Sequence, residues 1–315
     1  MIPLAEIEKA RETIRGAAVR TPLVRLNAPE LDAEIWLKLE TLQPVNSFKI
    51  RAATNALRQA SRAEVEKGVV TASAGNMAQG VAWAARELGV PATIVVPENA
   101  PQTKLAAIER LGGRIVKVSH ERWWQAIVES RFEGVDGLFV HPVENDLVMA
   151  GNGTIGLEIL EDLPDPDVVL VPWGGGGLTV GIASAVKALR PQTRVCAVEP
   201  ETGAPLAASF PRGEPVAVEY TPSFVDGSGS RALLPRMWER AQGLVDDAYI
   251  SSLDETAAAV RLLAERARVI AEGAGALATA VAVSGRAGGG RIVCVVSGGN
   301  IDFARLATIL QGGTP

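Results

Sequence analysis

The chain alternates between short apolar runs and stretches with the apolar spacing of an α-helix. Residues 68–72, 92–96 and 114–118 are rich in valine, isoleucine and alanine, and such short runs are typical of buried strands. The intervening stretches, 77–88 and 101–111, carry apolar residues three and four positions apart, which predicts helices. A strand-helix-strand-helix order of this kind predicts a parallel sheet with helices on both faces.

The same alternation continues on both sides of this region. Further strands are predicted at 35–40, 138–140, 167–172, 194–198 and 291–296, and further helices at 121–131, 153–160, 179–189, 256–267 and 275–283. We therefore expect an α/β protein with two open parallel-sheet domains of three layers each. Residues 54–144 are expected to form a small domain, inserted into a large domain made of residues 1–53 and 145–315. A site is then expected in the cleft between them, beyond the carboxyl ends of the strands.

Composition narrows the classes of function. The 315 residues are 47% apolar and 21% charged, with a formal net charge of −5, an ordinary globular profile. The mildly acidic balance argues against a nucleic-acid partner. No apolar run reaches the roughly 20 residues of a membrane span, and the first 20 residues lack a signal-peptide core, so we expect a cytoplasmic protein without a membrane partner. Cys196 and Cys294 are interpreted as buried, inert thiols.

Histidines are scarce in this chain. His120 and His141 are the only two, so few histidines are available for a zinc site or a Ser-His-Asp triad. His141 ends an apolar run and precedes Pro142, so it is interpreted as a residue at the end of a strand.

Four consecutive glycines, Gly174–Gly177, join a predicted strand to a predicted helix. Backbone N–H groups at such a helix N-terminus suit an anion, and the missing Cβ atoms allow close approach of the backbone. The alternative is a flexible turn. The run is neither a GxGxxG motif followed by a ribose-binding acid nor a Walker loop, which favours a single phosphate over a dinucleotide or ATP.

Two further segments carry candidate chemistry. Lys49 lies between Phe48 and Ile50, and apolar surroundings lower the pKa of a lysine and free its amine; a solvated surface charge is the alternative. The segment from Ser73 to Asn76 joins a strand end to a helix start, which suits a carboxylate or is a simple cap. An amine, an Asn side chain and a glycine loop together match the aldehyde, phenolic oxygen and phosphate of pyridoxal phosphate.

Two acidic residues also follow strands or open helices. Glu199 directly follows the predicted strand 194–198, and Glu272 precedes a Gly-Ala-Gly segment. Both are interpreted as surface or capping carboxylates, with oxygen ligation of a hard cation as the alternative.

Taken together, these motifs resemble the fold-type II pyridoxal-phosphate enzymes, in the branch of the threonine/serine dehydratases and serine racemases. That family has a tryptophan synthase β-like fold. The resemblance runs from Arg20 to Asn300, and its most specific motifs are residues 46–51 (NSFKIR), 73–80 (SAGNMAQG), 150–156 (AGNGTIG), the tetraglycine and 296–300 (VSGGN).

The resemblance implies a role for each matching position. Lys49 is the expected Schiff-base lysine and general base, and Phe48 its neighbour beside the ring. The remaining expected contacts are Asn76 to the phenolic oxygen, Gly174, Gly175, Gly176, Gly177 and Leu178 to the phosphate, Ser297 to the pyridine nitrogen, and Ser73, Ala74, Gly75, Asn76 and Met77 to the substrate. Glu199 and Gly203 are the expected ligands of a monovalent or divalent cation.

The implied activity is a β-elimination that converts a β-hydroxy amino acid, such as L-threonine or L-serine, to a 2-oxo acid and ammonia. The resemblance also implies a homodimer. The alternatives are a dehydratase specialised for phenylserine or 3-hydroxyaspartate, an amino-acid racemase, and a non-catalytic protein that binds a nucleotide or phosphate.

Departures from the family pattern bear on these alternatives. Met77 replaces a common histidine and Trp173 a smaller aliphatic residue, which favours a larger or more apolar substrate. Ala74 stands where racemases of this branch carry a second serine, which disfavours racemisation. Pro205 stands where an acidic cation ligand is usual, which weighs against a divalent site.

Overall fold

A computed structural model describes all 315 residues and confirms the predicted α/β class. The strands are β1 (Leu23–Arg25), β2 (Ala33–Leu39), β3 (Val69–Ala72), β4 (Ala92–Pro97), β5 (Gly113–Val118), β6 (Leu138–Phe139), β7 (Val168–Pro172), β8 (Arg194–Pro200), β9 (Asp247–Ser251) and β10 (Gly290–Val296).

The helices lie between and around these strands. They are α1 (Leu4–Thr13), α2 (Lys49–Gln59), α3 (Arg62–Val65), α4 (Asn76–Leu88), α5 (Gln102–Arg110), α6 (His120–Glu129), α7 (Asp146–Asp162), α8 (Gly177–Leu189), α9 (Pro205–Ser209), α10 (Pro235–Gln242), α11 (Leu253–Leu262), α12 (Gly273–Val283) and α13 (Phe303–Leu310). None of the helices is both long enough and apolar enough to span a bilayer.

The strands form two separate sheets. The larger has the order β1-β2-β10-β7-β8-β9, and all of its pairs are parallel except β1 with β2. The smaller has the order β5-β4-β3-β6 and is entirely parallel. All four strands of the smaller sheet lie in one continuous stretch of the chain, and the strands of the larger sheet come from both sides of it.

The large sheet is buried on both faces. Successive side chains of a strand point to opposite faces, and β7 shows this directly. Val169 and Val171 pack in one apolar cluster with α1, α7, α8 and α10. Val168 and Leu170 pack in a second cluster with α11, α12 and α13. The result is the predicted arrangement of three layers, with a run of apolar residues through the central strand.

The small sheet is covered in the same way. Val69, Ile94 and Val96 face α2, α4 and α5, whereas Val70 and Val95 face α6. Each sheet therefore has its own core.

Helix α2 was not predicted, and it carries the lysine motif. Its third residue, Arg51, is 1% exposed and lies in a buried ionic network. The guanidinium contacts Glu40 at 2.8 Å and Glu158 at 2.6 Å, and Lys38 contacts Glu158 at 2.5 Å. The charges of two cations and two carboxylates therefore balance, and these ion pairs connect the start of α2 to β2 and α7.

Candidate active site

A cavity of about 470 Å³ lies between the two sheets and receives residues from both. Its lining includes every residue that the sequence predicted to bind cofactor or substrate, namely Phe48, Lys49, Ser73, Ala74, Gly75, Asn76, Met77, Gly174, Gly175, Gly176, Gly177, Leu178 and Ser297. These residues come from four separate segments of the chain, which the fold brings to one place.

Lys49 is the first residue of α2 and is partly buried in this cavity. Its Nζ donates a hydrogen bond to the carbonyl of Pro142 at 3.0 Å and lies 5.0 Å from the centre of the Phe48 ring. Burial lowers the pKa of Lys49 to about 8. The unprotonated amine, which a nucleophile or general base requires, is therefore a larger fraction at neutral pH than for an ordinary lysine.

The glycine run forms the turn between β7 and α8 and presents unpaired donors. None of the six consecutive N–H groups from Gly174 to Thr179 has a hydrogen-bond acceptor within the protein. Buried backbone N–H groups are nearly always paired, so this set has the character of an anion site at a helix N-terminus.

Neighbouring side chains explain why this turn needs glycine. Gly176 has φ +94°, and a Cβ there would lie 2.5 Å from the Trp173 ring. A Cβ on Gly175 would lie 2.4 Å from Val143. Trp173 itself is fully buried in the core beside the turn and is not part of the cavity lining. The structure therefore gives no support to Trp173 as a reason for a larger or more apolar substrate, because its ring fills space behind the glycines.

A second helix N-terminus opens into the same cavity. The turn from Ser73 leads into α4, and the N–H groups of Ala74, Asn76, Met77 and Ala78 have no acceptor within the protein. The Ser73 hydroxyl accepts the N–H of Gly75 at 3.2 Å and fixes this turn. The cavity thus offers two sets of N–H donors, which suits two ligands that each carry an anionic group.

The side-chain amide of Asn76 is oriented by its neighbours. Asn300 donates through Nδ2 to the carbonyl of Val45 at 2.9 Å and to Oδ1 of Asn76 at 2.8 Å. Since the Val45 carbonyl only accepts, Asn300 must present its nitrogen there. Asn76 therefore points its own Nδ2 towards Glu272, whose Oε1 accepts at 2.6 Å, and one hydrogen of Asn76 is left over for a ligand.

Glu272 is the residue of this group that the sequence interpretation undervalued. It is buried and lines the cavity. Burial, reinforced by the negative charge of Asp226, raises the pKa of Glu272 to about 7. Its partner Asn76 lies 196 positions away, and no local pattern could have paired the two.

Ser297 directly follows β10 and is buried against the lysine motif. Its carbonyl accepts the N–H of Phe48 at 3.0 Å, and Ser47 forms a β-bridge with Gly298. The serine is thereby fixed close to the residue that precedes Lys49.

An ion pair links the two sides of the cavity. Lys104 on α5 contacts Asp226, in the long loop between α9 and α10, at 2.6 Å, and both residues line the cavity. Trp123 on α6 and Met77 on α4 also line it. Met77 thus lies where a substrate side chain could contact it. The sequence interpretation did not find Lys104 and Asp226.

The predicted cation ligands lie elsewhere. Glu199 is buried at the end of β8 and accepts the N–H groups of Leu206 at 3.2 Å and Ala207 at 2.8 Å. Burial raises the pKa of Glu199 to about 7. The carbonyl of Gly203 accepts the N–H of Ser230 at 3.2 Å. No group of three or more His, Cys, Asp or Glu side chains is arranged to hold a metal, and the cation stays a prediction.

The donor set fits pyridoxal phosphate. A partly buried amine can receive an aldehyde, unpaired N–H groups at a helix N-terminus can receive a phosphate, and the free amide hydrogen of Asn76 can receive a ring oxygen. The residues that provide them, Lys49, Gly174–Leu178 and Asn76, all line one cavity.

Comparisons with known proteins agree with this geometry. Residues 14–298 match the family model described as "Pyridoxal-phosphate dependent enzyme". The L-threonine ammonia-lyase of Thermotoga maritima is 39% identical over 99% of this chain and 79% of its own length. Maize serine racemase superposes with a TM-score of 0.88 at 32% identity, over 98% of this chain and 96% of its own. Threonine deaminase isoform 2 of Solanum lycopersicum also gives 0.88, at 33% identity over 98% and 93%.

Proposed function

The chain belongs to the pyridoxal-phosphate dependent enzymes, and we propose that it is an ammonia-lyase that converts a β-hydroxy amino acid to a 2-oxo acid and ammonia. L-Threonine and L-serine are the proposed substrates, since the curated relatives are named for threonine and one similar solved structure is named a fungal L-serine ammonia-lyase. The observation that carries the proposal is a single cavity with a low-pKa lysine and two sets of unpaired N–H donors.

We assign the cofactor contacts from these donors. When bound, pyridoxal phosphate supplies an aldehyde that links to amines and a ring that withdraws electrons from the substrate Cα. The N–H groups of Gly174–Leu178 would hold the phosphate, and Asn76 would donate to the ring oxygen. Ser297 would face the ring nitrogen, and Phe48 would lie beside the ring.

Different residues of the chain then act on different parts of the substrate. The N–H groups of Ala74, Asn76 and Met77 hold the substrate carboxylate, with Ser73 and Gly75 shaping the turn. Lys49 Nζ takes the proton from the substrate Cα as general base. The β-hydroxyl takes up a proton and leaves as water, which balances the proton that Lys49 removes from Cα, and the released enamine reacts with one water to give the 2-oxo acid and ammonia. Apolar surroundings lower the pKa of Lys49, which increases the fraction of the amine that is able to accept that proton.

Two alternatives are weaker on the same geometry. Racemases of this branch carry their second proton donor, a serine, at the position where this chain has Ala74, and the methyl side chain of Ala74 has no proton to give. A specialised dehydratase for phenylserine or 3-hydroxyaspartate is supported only by Met77, whose flexible apolar side chain lines the cavity and could accept a larger substituent.

The test is release of 2-oxo acid and ammonia from L-threonine, L-serine, phenylserine and both 3-hydroxyaspartate diastereomers. We expect equal amounts of the two products from threonine or serine, and at least a thousandfold loss in Lys49→Ala. Lys67→Ala, which changes an exposed lysine, is the matched control. Release from none of the substrates would refute the proposal.

Four finer points remain proposals with their own measurements. The division into residues 1–53 with 145–315 and 54–144 is supported by the two separate sheets, and limited proteolysis would test it. Light scattering would test the proposed homodimer, and activity in different chloride salts would test a cation at Glu199 and Gly203. Cell fractionation would test the cytoplasmic location.

A further inference from the structure

A short loop, residues 142–144, touches both the reactive lysine and the glycine run. Its first residue, Pro142, offers the carbonyl that accepts the Lys49 amine at 3.0 Å. Its second residue, Val143, packs so closely that a Cβ on Gly175 would lie 2.4 Å from its side chain. A Cβ on Gly177 would lie 3.2 Å from the Val143 carbonyl. A movement of this loop would therefore disturb the amine and the proposed phosphate site together.

One side chain accepts hydrogen bonds from two backbone N–H groups of this loop. His141 is 5% exposed, and its Nδ1 accepts the N–H of Val143 at 3.0 Å and of Glu144 at 2.7 Å. These two N–H groups have no other acceptor. Upstream, the N–H of Val140 bonds to the carbonyl of Val70 at 2.8 Å. The imidazole thus controls the segment that follows this anchor.

The state of the ring follows from these bonds. A nitrogen that accepts two N–H groups carries no proton, so a neutral ring has its proton on Nε2. Burial, with the nearby positive charge of Lys49, lowers the pKa of His141 to about 4. His141 is therefore a fixed acceptor at neutral pH and is not available as an acid.

We propose that His141 is a positioning residue, which holds the Pro142 carbonyl against the Lys49 amine and Val143 against the glycine run before the cofactor binds. The inference rests on the proposed function for the roles of Lys49 and the glycines. It adds the residue that fixes the position of the Lys49 amine relative to the glycine run. His141 acts through the loop and has no contact with the reacting atoms.

The chain contains a template for a conservative replacement. Oδ1 of Asn145 accepts the N–H groups of Leu147 at 2.8 Å and Val148 at 3.1 Å. Those donors lie two and three residues onward, the same spacing that His141 uses. An asparagine at position 141 can therefore restore the acceptor, whereas a leucine of similar bulk cannot.

The first experiment measures the affinity of cofactor-free protein for pyridoxal phosphate by fluorescence titration, in His141→Leu, His141→Asn and the wild type. We expect at least tenfold weaker binding in His141→Leu and a change below threefold in His141→Asn. His120→Asn is the matched control, since His120 is the exposed second histidine, and its affinity should equal that of the wild type. Wild-type affinity in a folded His141→Leu, or an equal loss in His141→Asn, would overturn the inference.

A second measurement needs no variant at position 141. The protein has two histidines, so ¹⁵N spectra of histidine-labelled wild type can be assigned with His120→Asn. We expect His141 to be neutral and protonated on Nε2 at pH 7, in cofactor-free and loaded protein alike. A charged ring or a proton on Nδ1 would overturn the inference. Failure of the proposed function would look different, because the wild type would release no 2-oxo acid while the histidine spectrum stayed as expected.

Discussion

Replacing Arg51 with leucine should break the buried ionic network beneath the reactive lysine. In the wild type, the guanidinium contacts Glu40 and Glu158 and also donates to Thr154 at 3.1 Å and to the Val19 carbonyl at 3.0 Å. Its loss leaves two buried carboxylates with Lys38 as their only cation. Removing one partner of a buried ion pair costs about 3–5 kcal/mol, so we expect Arg51→Leu to lose that much unfolding free energy.

Urea unfolding followed by far-UV circular dichroism measures this loss. Arg62→Leu is the control, since Arg62 is exposed and makes no salt bridge, and we expect a change within about 0.5 kcal/mol. The double variant Arg51→Leu/Glu158→Gln restores charge balance and should recover at least about 1 kcal/mol over the single variant. A loss below about 1 kcal/mol in Arg51→Leu, or no recovery in the double variant, would refute the reasoning.

Three further predictions concern the cavity. Gly176→Ala forces a Cβ into the Trp173 ring at φ +94°, so affinity for pyridoxal phosphate should fall at least tenfold by fluorescence titration; unchanged affinity would contradict the role of the turn. Burial raises the pKa of Glu272 to about 7. The folded state therefore gains stability at low pH, where this carboxyl is protonated, and loses it as pH rises from about 4.5 through 7. The unfolding free energy of Glu272→Gln, measured by urea titration, should therefore rise relative to that of the wild type between pH 5 and 8. A difference between the two proteins that does not change with pH would disprove this prediction. Ala74→Ser supplies a hydroxyl in the cavity and should raise the ratio of racemisation to elimination at least tenfold by chiral chromatography; an unchanged ratio would remove Ala74 as the reason for disfavouring a racemase.

The parts of the site that the sequence predicts are local. The glycine run and the Ser73–Asn76 turn each join a strand to a helix within a few residues, so their apolar runs and small residues indicate both the element order and the open N–H groups. The same local patterns place both turns at carboxyl ends of parallel strands, which is why the predicted residues meet in one cavity.

The parts that the sequence does not predict depend on side chains far apart in the chain. Helix α2 has apolar residues at helical spacing, at Ile50, Ala53 and Leu57, but it also buries the polar Arg51 and Asn55, whose partners lie far away in the chain. The contact of Asn76 with Glu272 and that of Lys49 with Pro142 span 196 and 93 positions. The orientation of Trp173 was not predictable because a side chain next to a ligand loop can point away from the ligand and into the core.

Reduction of the cofactor-loaded protein with borohydride, followed by peptide mass spectrometry, identifies the lysine that binds the cofactor. We expect a single pyridoxyl group, attached to the peptide that contains Lys49. We also expect no label in Lys49→Ala and full labelling in Lys67→Ala. A label on a different lysine, or none in the wild type, would contradict the claim that Lys49 is the lysine that binds the cofactor.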